Sequence, residues 1–313
     1  MSLRRAACLA PLALVALAIL VVPSPAHAWG PLAHLNFSAQ ALAQLGSLQP
    51  SIRSLLQDFG DEFLYGSLAA DIVVGKNMAR YLYHCHNWRV GFNVLGKARS
   101  SAERAFAHGF LAHLAADTVA HNYFVPWKTV ASFHKAGSGH AYWELRYDQR
   151  MDRRLSRLAR TVSSRKLRGH DAFLARHLGG ASVIPFGVSR QLFGSLLASA
   201  RVGRFQQVSR LALAPERNLP LEPDLVEETG QLAVRAILGV LAEGERSEAA
   251  RADATGARNI QFAQQLRRQL RARTGPVLTI ADAHALAAET RASFRRAIQG
   301  KLVLPVAVGK LAA

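Results

Sequence analysis

The segment "FLAHLAADTVAHNYF" (110–124) sets the tightest limit on what this chain can build. His113, Asp117 and His121 recur every four residues. On an α-helix a step of four turns only about 40°, so the spacing puts all three side chains on one narrow stripe. Leu111, Leu114, Ala115 and Val119 flank that stripe, which predicts an interior helix. Polar groups in such a place need partners. Two imidazoles and a carboxylate on one stripe are zinc-ligand chemistry. The alternative is an amphipathic helix whose polar groups are satisfied by hydrogen bonds.

Three further motifs share this character. In "GHAYWELRYD", His140 and Glu144 are four apart and can approach one ion from one helix face; an ordinary surface pair has the same spacing. In "YHCHNW", His84 and His86 flank Cys85. Neighbouring positions rarely reach one ion, so one histidine is expected as a ligand and Cys85 as packing. In "YGSLAADIVVG", Asp71 closes a run of small residues and by itself is any aspartate at a helix end.

The amino terminus reads as an export signal. Arg4 and Arg5 precede an apolar run from Ala6 to Val22, and Ala26 and Ala28 form an A-x-A cleavage site. The expected cut falls between Ala28 and Trp29, giving a secreted or periplasmic protein. Only Cys85 then remains, which excludes an internal disulfide in an oxidising compartment. Something else must staple the chain. With 39 Lys and Arg against 21 Asp and Glu, the formal charge is +18. That favours anionic partners, phospholipid surfaces or nucleic acid, without choosing between them.

Helical signals dominate, and alternating β-branched runs are scarce. Helices are expected at 36–45, 51–59, 101–119, 140–159, 171–177, 188–201, 224–242, 257–273 and 281–299. The stretch "AEGERSEAARADATGARN" (242–259) reads as a linker or an exposed helix. The chain therefore divides into a leader (1–28), a helical domain (29–241) and a helical extension of unknown role (242–313). Within that extension, 257–273 reads as a basic amphipathic helix, suited to an anionic bilayer or to packing.

Taken together, "WGPLAH", "GSLAAD", "HNW", "HLAAD" and "HAYWE" resemble the zinc-dependent phospholipase C family, which also takes in relatives of single-strand-specific nucleases. The resemblance implies an all-α, multi-helix bundle holding three zinc ions. It places the freed α-amino group of Trp29 and His34 on one zinc. Asp71 falls on a second, with His86 favoured over His84 beside it. It also implies His113 as a ligand, Asp117 as a bridge between two zincs, and His121, His140 and Glu144 around the third. Asp71 would also orient or deprotonate the attacking water. Family enzymes usually have two more residues, one a proline, between the counterparts of Asp117 and His121. Here "DTVAH" is tighter and is expected to keep the helix continuous. Ile72 stands where choline-preferring enzymes carry tyrosine.

The resemblance implies a phospholipase C that releases diacylglycerol and a phosphorylated headgroup, with peripheral contact to anionic membrane and no obligate protein partner. A single-strand nuclease and a zinc-stapled binding protein without catalysis are the alternatives. Tyr123, Phe124, Trp127 and Phe133, after the ligand helix, are expected either to line a cleft or to pack the core.

Overall fold

The computed structural model describes residues 29–72, 85–135, 140–152, 154–163, 167, 169–178, 190, 219–303 and 305. They form an all-α structure; among them the sole β pairing is an isolated bridge between Thr274 and Leu278. The expected leader and His84 lie outside the described residues, as does almost all of the expected helix at 188–201.

The centre of the fold is helix α5, Ser101–Val119, labelled here after α1 (Pro31–Leu42), α2 (Pro50–Asp58), α3 (Gly60–Ala69) and α4 (Trp88–Lys97). A reciprocal capping box of Ser100 and Glu103 starts α5. Every residue from Ala105 to Val119 is buried. A helix buried all round must be wrapped by others. Helices α1, α3 and α4 do this together with α10, Pro223–Glu243. Between them run α6 (Val125–Ala131), α7 (His140–Asp148), α8 (Leu155–Val162) and α9 (Gly169–Leu178). Helices α11 (Ala257–Arg273) and α12 (Ile280–Ala297) close the bundle against α6.

The small-residue run of α3 has a steric reason. A β-carbon on Gly66 would lie 1.9 Å from the Phe106 carbonyl oxygen, and one on Gly109 would lie 1.9 Å from that of Phe63. The two helices touch backbone to backbone at this crossing. Contact this close carries the end of α3, with Asp71 just beyond it, to the polar stripe of α5.

Helix α5 does not continue unchanged through His121. Residues Ala120–Phe124 form a wider π-helical turn, and α6 follows directly. Pro126 explains the change. It has no N–H to give, and in an α-helix its ring would meet the carbonyl of Asn122. The turn begins one residue before His121, which groups with His140 and Glu144 and not with the ligands around Asp117.

Other boundaries also differ from expectation. The helix expected over 140–159 stops at Asp148 and resumes at Leu155. Asp152 Oδ1 accepts from Arg154 N at 2.7 Å, a local turn that competes with the helix. Helices α3, α4 and α6 are elements beyond those that the sequence pattern predicts. Residues 244–251 form two short 3-10 turns, not an exposed helix. Helix α11 buries Ile260, Ala263, Leu266 and Leu270, so its apolar face packs inward. Tyr123, Phe124, Trp127 and Phe133 are buried in the core. Cys85 is buried and free, as its packing role requires. No helix of the described residues is long and apolar enough to cross a membrane.

Candidate metal centre

Two groups of ligand-type side chains converge in the interior. The first joins His34 of α1, Asp71, His86, and His113 and Asp117 of α5. Within it, the ligand atoms of His34, Asp71 and His113 lie within 4.8 Å of one another, as do those of His86, His113 and Asp117. Asp117 faces both subsets. Its Oδ1 is 3.1 Å from His34 Nε2, and its Oδ2 is 2.9 Å from His86 Nδ1 and 3.2 Å from His113 Nε2. Asp71 Oδ1 stands 3.4 Å from His86 Nε2. The second group is His121, His140 and Glu144, again within 4.8 Å. Glu144 Oε1 is 2.5 Å from His140 Nε2 and 3.8 Å from His121 Nε2.

Burial sets the charge states. It holds the His34 imidazole down at about 4, with His113 adding to the effect, so the ring is neutral and one ring nitrogen has its lone pair available. Burial pushes Asp117 upward, but His113, His34 and His86 outweigh it and keep the carboxylate ionised, well below the usual range. Burial drives Glu144 well above the usual range, with Asp117 and Asp71 contributing in the same direction against His121.

The ring orientations are fixed from outside. His113 Nδ1 lies 2.8 Å from the Ser67 carbonyl oxygen, and His121 Nδ1 lies 2.7 Å from that of Ala254. A carbonyl can only accept, so both rings carry their proton on Nδ1 and turn Nε2 to the carboxylates. This is how metal-binding histidines are held. His113 Nε2 and both oxygens of Asp117 are buried without hydrogen bonds. An ionised carboxylate this deeply desolvated is costly unless positive charge joins it. The donor set of nitrogens and oxygens suits zinc.

Residues 33–178 match the family described as zinc dependent phospholipase C. The family match carries a zinc-dependent, phospholipase C-type function, and it spans all eight side chains of the two groups. No curated protein and no solved structure matches the chain.

Of the residues singled out from sequence, His34, Asp71, His86, His113 and Asp117 come together, and His121, His140 and Glu144 form their own group. Trp29 lies four positions ahead of the zinc-dependent phospholipase C match. Its buried indole donates from Nε1 to the Ala116 carbonyl at 3.0 Å, beside Asp117. Its ring centroid lies 4.1 Å from that of Tyr147 and 4.8 Å from that of Phe124.

Sequence reading missed the groups that orient the ligands. Ser67 and Ala254 act through backbone carbonyls, which carry no side-chain signature. Asp148 was also missed, although it continues the His140–Glu144 spacing by one more step of four. Its Oδ1 accepts from Ala33 N at 2.8 Å and so caps α1, whose own N-cap Gly30 has no side chain.

Proposed function

We propose that the protein is a secreted phosphodiester hydrolase, a phospholipase C that cleaves glycerophospholipids to diacylglycerol and a phosphorylated headgroup. The observation that carries this reading is Asp117, whose Oδ1 faces His34 while its Oδ2 faces His86 and His113. A carboxylate so placed suits a bridge between two ions, a device for phosphate-ester chemistry. The reading assigns one zinc to Trp29, through its freed amino group, with His34 and Asp117. A second belongs to Asp71, His86, His113 and Asp117, and a third to His121, His140 and Glu144.

Zinc held by these residues supplies Lewis-acid polarisation of phosphoryl oxygens and stabilises the charge that develops there. The chain does the rest. Ser67 and Ala254 lock two imidazoles before substrate arrives, so little reorganisation accompanies reaction. The deep burial of His34, His86, His113 and Asp117 excludes bulk water from the ligand side. Asp71 differs, with 15% of its side chain exposed, and is the member that meets solvent. In this reading Asp71 takes a proton from the attacking water as its oxygen bonds to phosphorus. The phosphorus–oxygen bond to the glycerol carbon chain breaks, the departing oxygen takes up a proton from solvent, and Asp71 returns its own to solvent, so the carboxylate is restored.

The "WGPLAH" start, which resembles that of the single-strand nucleases, and the +18 charge favour a second reading, a single-strand nuclease. The test is a protein beginning at Trp29, loaded with zinc and offered phospholipid vesicles and single-stranded DNA in parallel. Diacylglycerol release is expected. Nucleotide release alone moves the assignment to the nuclease. Three bound zincs with neither product indicate a metal-stapled binding protein.

A further inference from the structure

Residues 252–259 lie beyond the segment matched to the family, in what reads from sequence as a linker. Three consecutive backbone carbonyls of this strap are spent on the metal-ligand region. Ala252 O accepts from Trp88 Nε1 at 2.9 Å, Asp253 O from Asn122 Nδ2 at 2.8 Å, and Ala254 O faces His121 Nδ1 at 2.7 Å. Trp88 follows His86 by two positions, and Asn122 follows His121 directly. The strap therefore grips the chain beside one ligand of each group.

Its own shape is built for this. Asp253 Oδ1 accepts from Thr255 N at 3.0 Å, and Oδ2 from the Thr255 hydroxyl at 2.7 Å. This turns the chain so that the carbonyls point inward. Gly256 has φ of +54°, and a β-carbon there would lie 2.3 Å from the His121 carbonyl oxygen. Both the left-handed conformation and the close approach demand glycine. Asn259 Nδ2 then donates to Asn122 Oδ1 at 2.7 Å, closing the strap from the first turn of α11.

We infer that the strap 252–259 is a positioning element of the His121–His140–Glu144 metal site: it fixes the tautomer and direction of His121, and residues 33–178 alone do not complete that site. Ala254, Gly256 and Asn259 touch neither substrate nor metal in this scheme and act only through His121 and Asn122. The inference rests on the zinc reading for its ligand but on the Ala254–His121 contact for its geometry.

The experiment uses the full chain from Trp29 onward and the variants Gly256→Ala and Asn259→Ala. Two quantities are read: zinc retention against a competing chelator, and the ring tautomer of His121 by nitrogen-15 NMR in metal-free protein. Wild type is expected to show the Nδ1-protonated form before any metal is added. Each variant should mix tautomers and hold one zinc about 10–100-fold more weakly, with the other equivalents unchanged. Folded variants with wild-type tautomer and retention overturn the inference. If Gly256→Ala does not fold, Asn259→Ala, which leaves the backbone alone, decides. If wild type shows the tautomer yet binds no zinc there, the metal reading fails while the strap's hold on His121 stands.

Discussion

A β-carbon on Gly30 would lie 2.3 Å from Cγ of Asp148. The carboxylate fills the space where a side chain would stand, and its Oδ1 caps Ala33 N. Helix α7, which carries His140 and Glu144, is thereby tied to the start of α1, which carries His34. Gly30→Ala is expected to push the carboxylate off its cap and destabilise by about 1–3 kcal/mol. Urea unfolding of wild type and variant measures this directly. Asp148→Ala should lose a comparable amount through the missing cap, on the order of 1 kcal/mol or more.

Asp148 also predicts a pH dependence. Burial pushes its carboxyl from 3.8 up to about 7, against the lowering effect of the Ala33 and Leu32 amides. A folded-state value above the unfolded one means the folded chain binds the proton more tightly. The stability from this group is full below about pH 4 and is lost as pH rises through 7, on the order of 1 kcal/mol per unit, tempered by solvent at a half-buried group. Asp148→Asn keeps an acceptor for Ala33 N and removes the titration. The difference in unfolding free energy between the two proteins should grow in favour of asparagine from pH 4 to 7 and then level off. A constant difference counts against the raised value.

Glu144 gives a separate expectation. Burial raises it well above the usual range, so without metal it keeps its proton to higher pH than an ordinary glutamate. Where that proton is still held, zinc uptake must release it. Titration calorimetry in buffers of different ionisation enthalpy should reveal proton release, and affinity should rise with pH. Glu144→Gln should abolish that proton release and weaken one zinc. Unchanged release locates the proton elsewhere.

The expected role of Trp29 is tested by one added residue before it. An amino group inside a peptide bond cannot bind zinc. The extended protein should hold one zinc fewer and lose at least about 100-fold in turnover, with helicity preserved. Removing the extra residue should restore both. Equal zinc content and rate in the extended protein would show that the position of the cut has no catalytic meaning.

At the α3–α5 crossing, Gly109→Ala must separate two backbones already in contact. The expected result is destabilisation of about 1–3 kcal/mol, with loss of the His113–Ser67 contact. Thermal unfolding reads the first effect and the nitrogen-15 signals of His113 the second.

How much of this was legible in the sequence depends on the kind of signal. His113 and Asp117 were readable because helical spacing alone aligns them. Helix α5 itself was readable from end to end, since Glu103 and the apolar flanks mark it locally. The widened turn at Ala120–Phe124 was not, because it depends on Pro126 acting backward on residues whose own spacing, "DTVAH", fits a regular helix. The meeting of Gly66 and Gly109 is a tertiary event between two ordinary-looking glycines. Ser67 and Ala254 contribute a group that every residue possesses, so nothing in their identity points to the site. Only Gly256 leaves a trace, and a lone glycine in a charged stretch reads more simply as a linker.

The distance along the chain between His121 and Ala254 has a kinetic consequence. That contact spans 133 residues, whereas His113 meets Ser67 across 46. Long-range closures pay their entropy before contacts reward them, and they tend to form later in folding. The ligands around Asp117 and the carbonyl of Ser67 all come from the first half of the chain, whereas the group around Glu144 also draws on Ala254 in the last third. The second group is therefore expected to be completed later. A chain cut short after α10 would still present a partly formed centre, able to capture ions it cannot use.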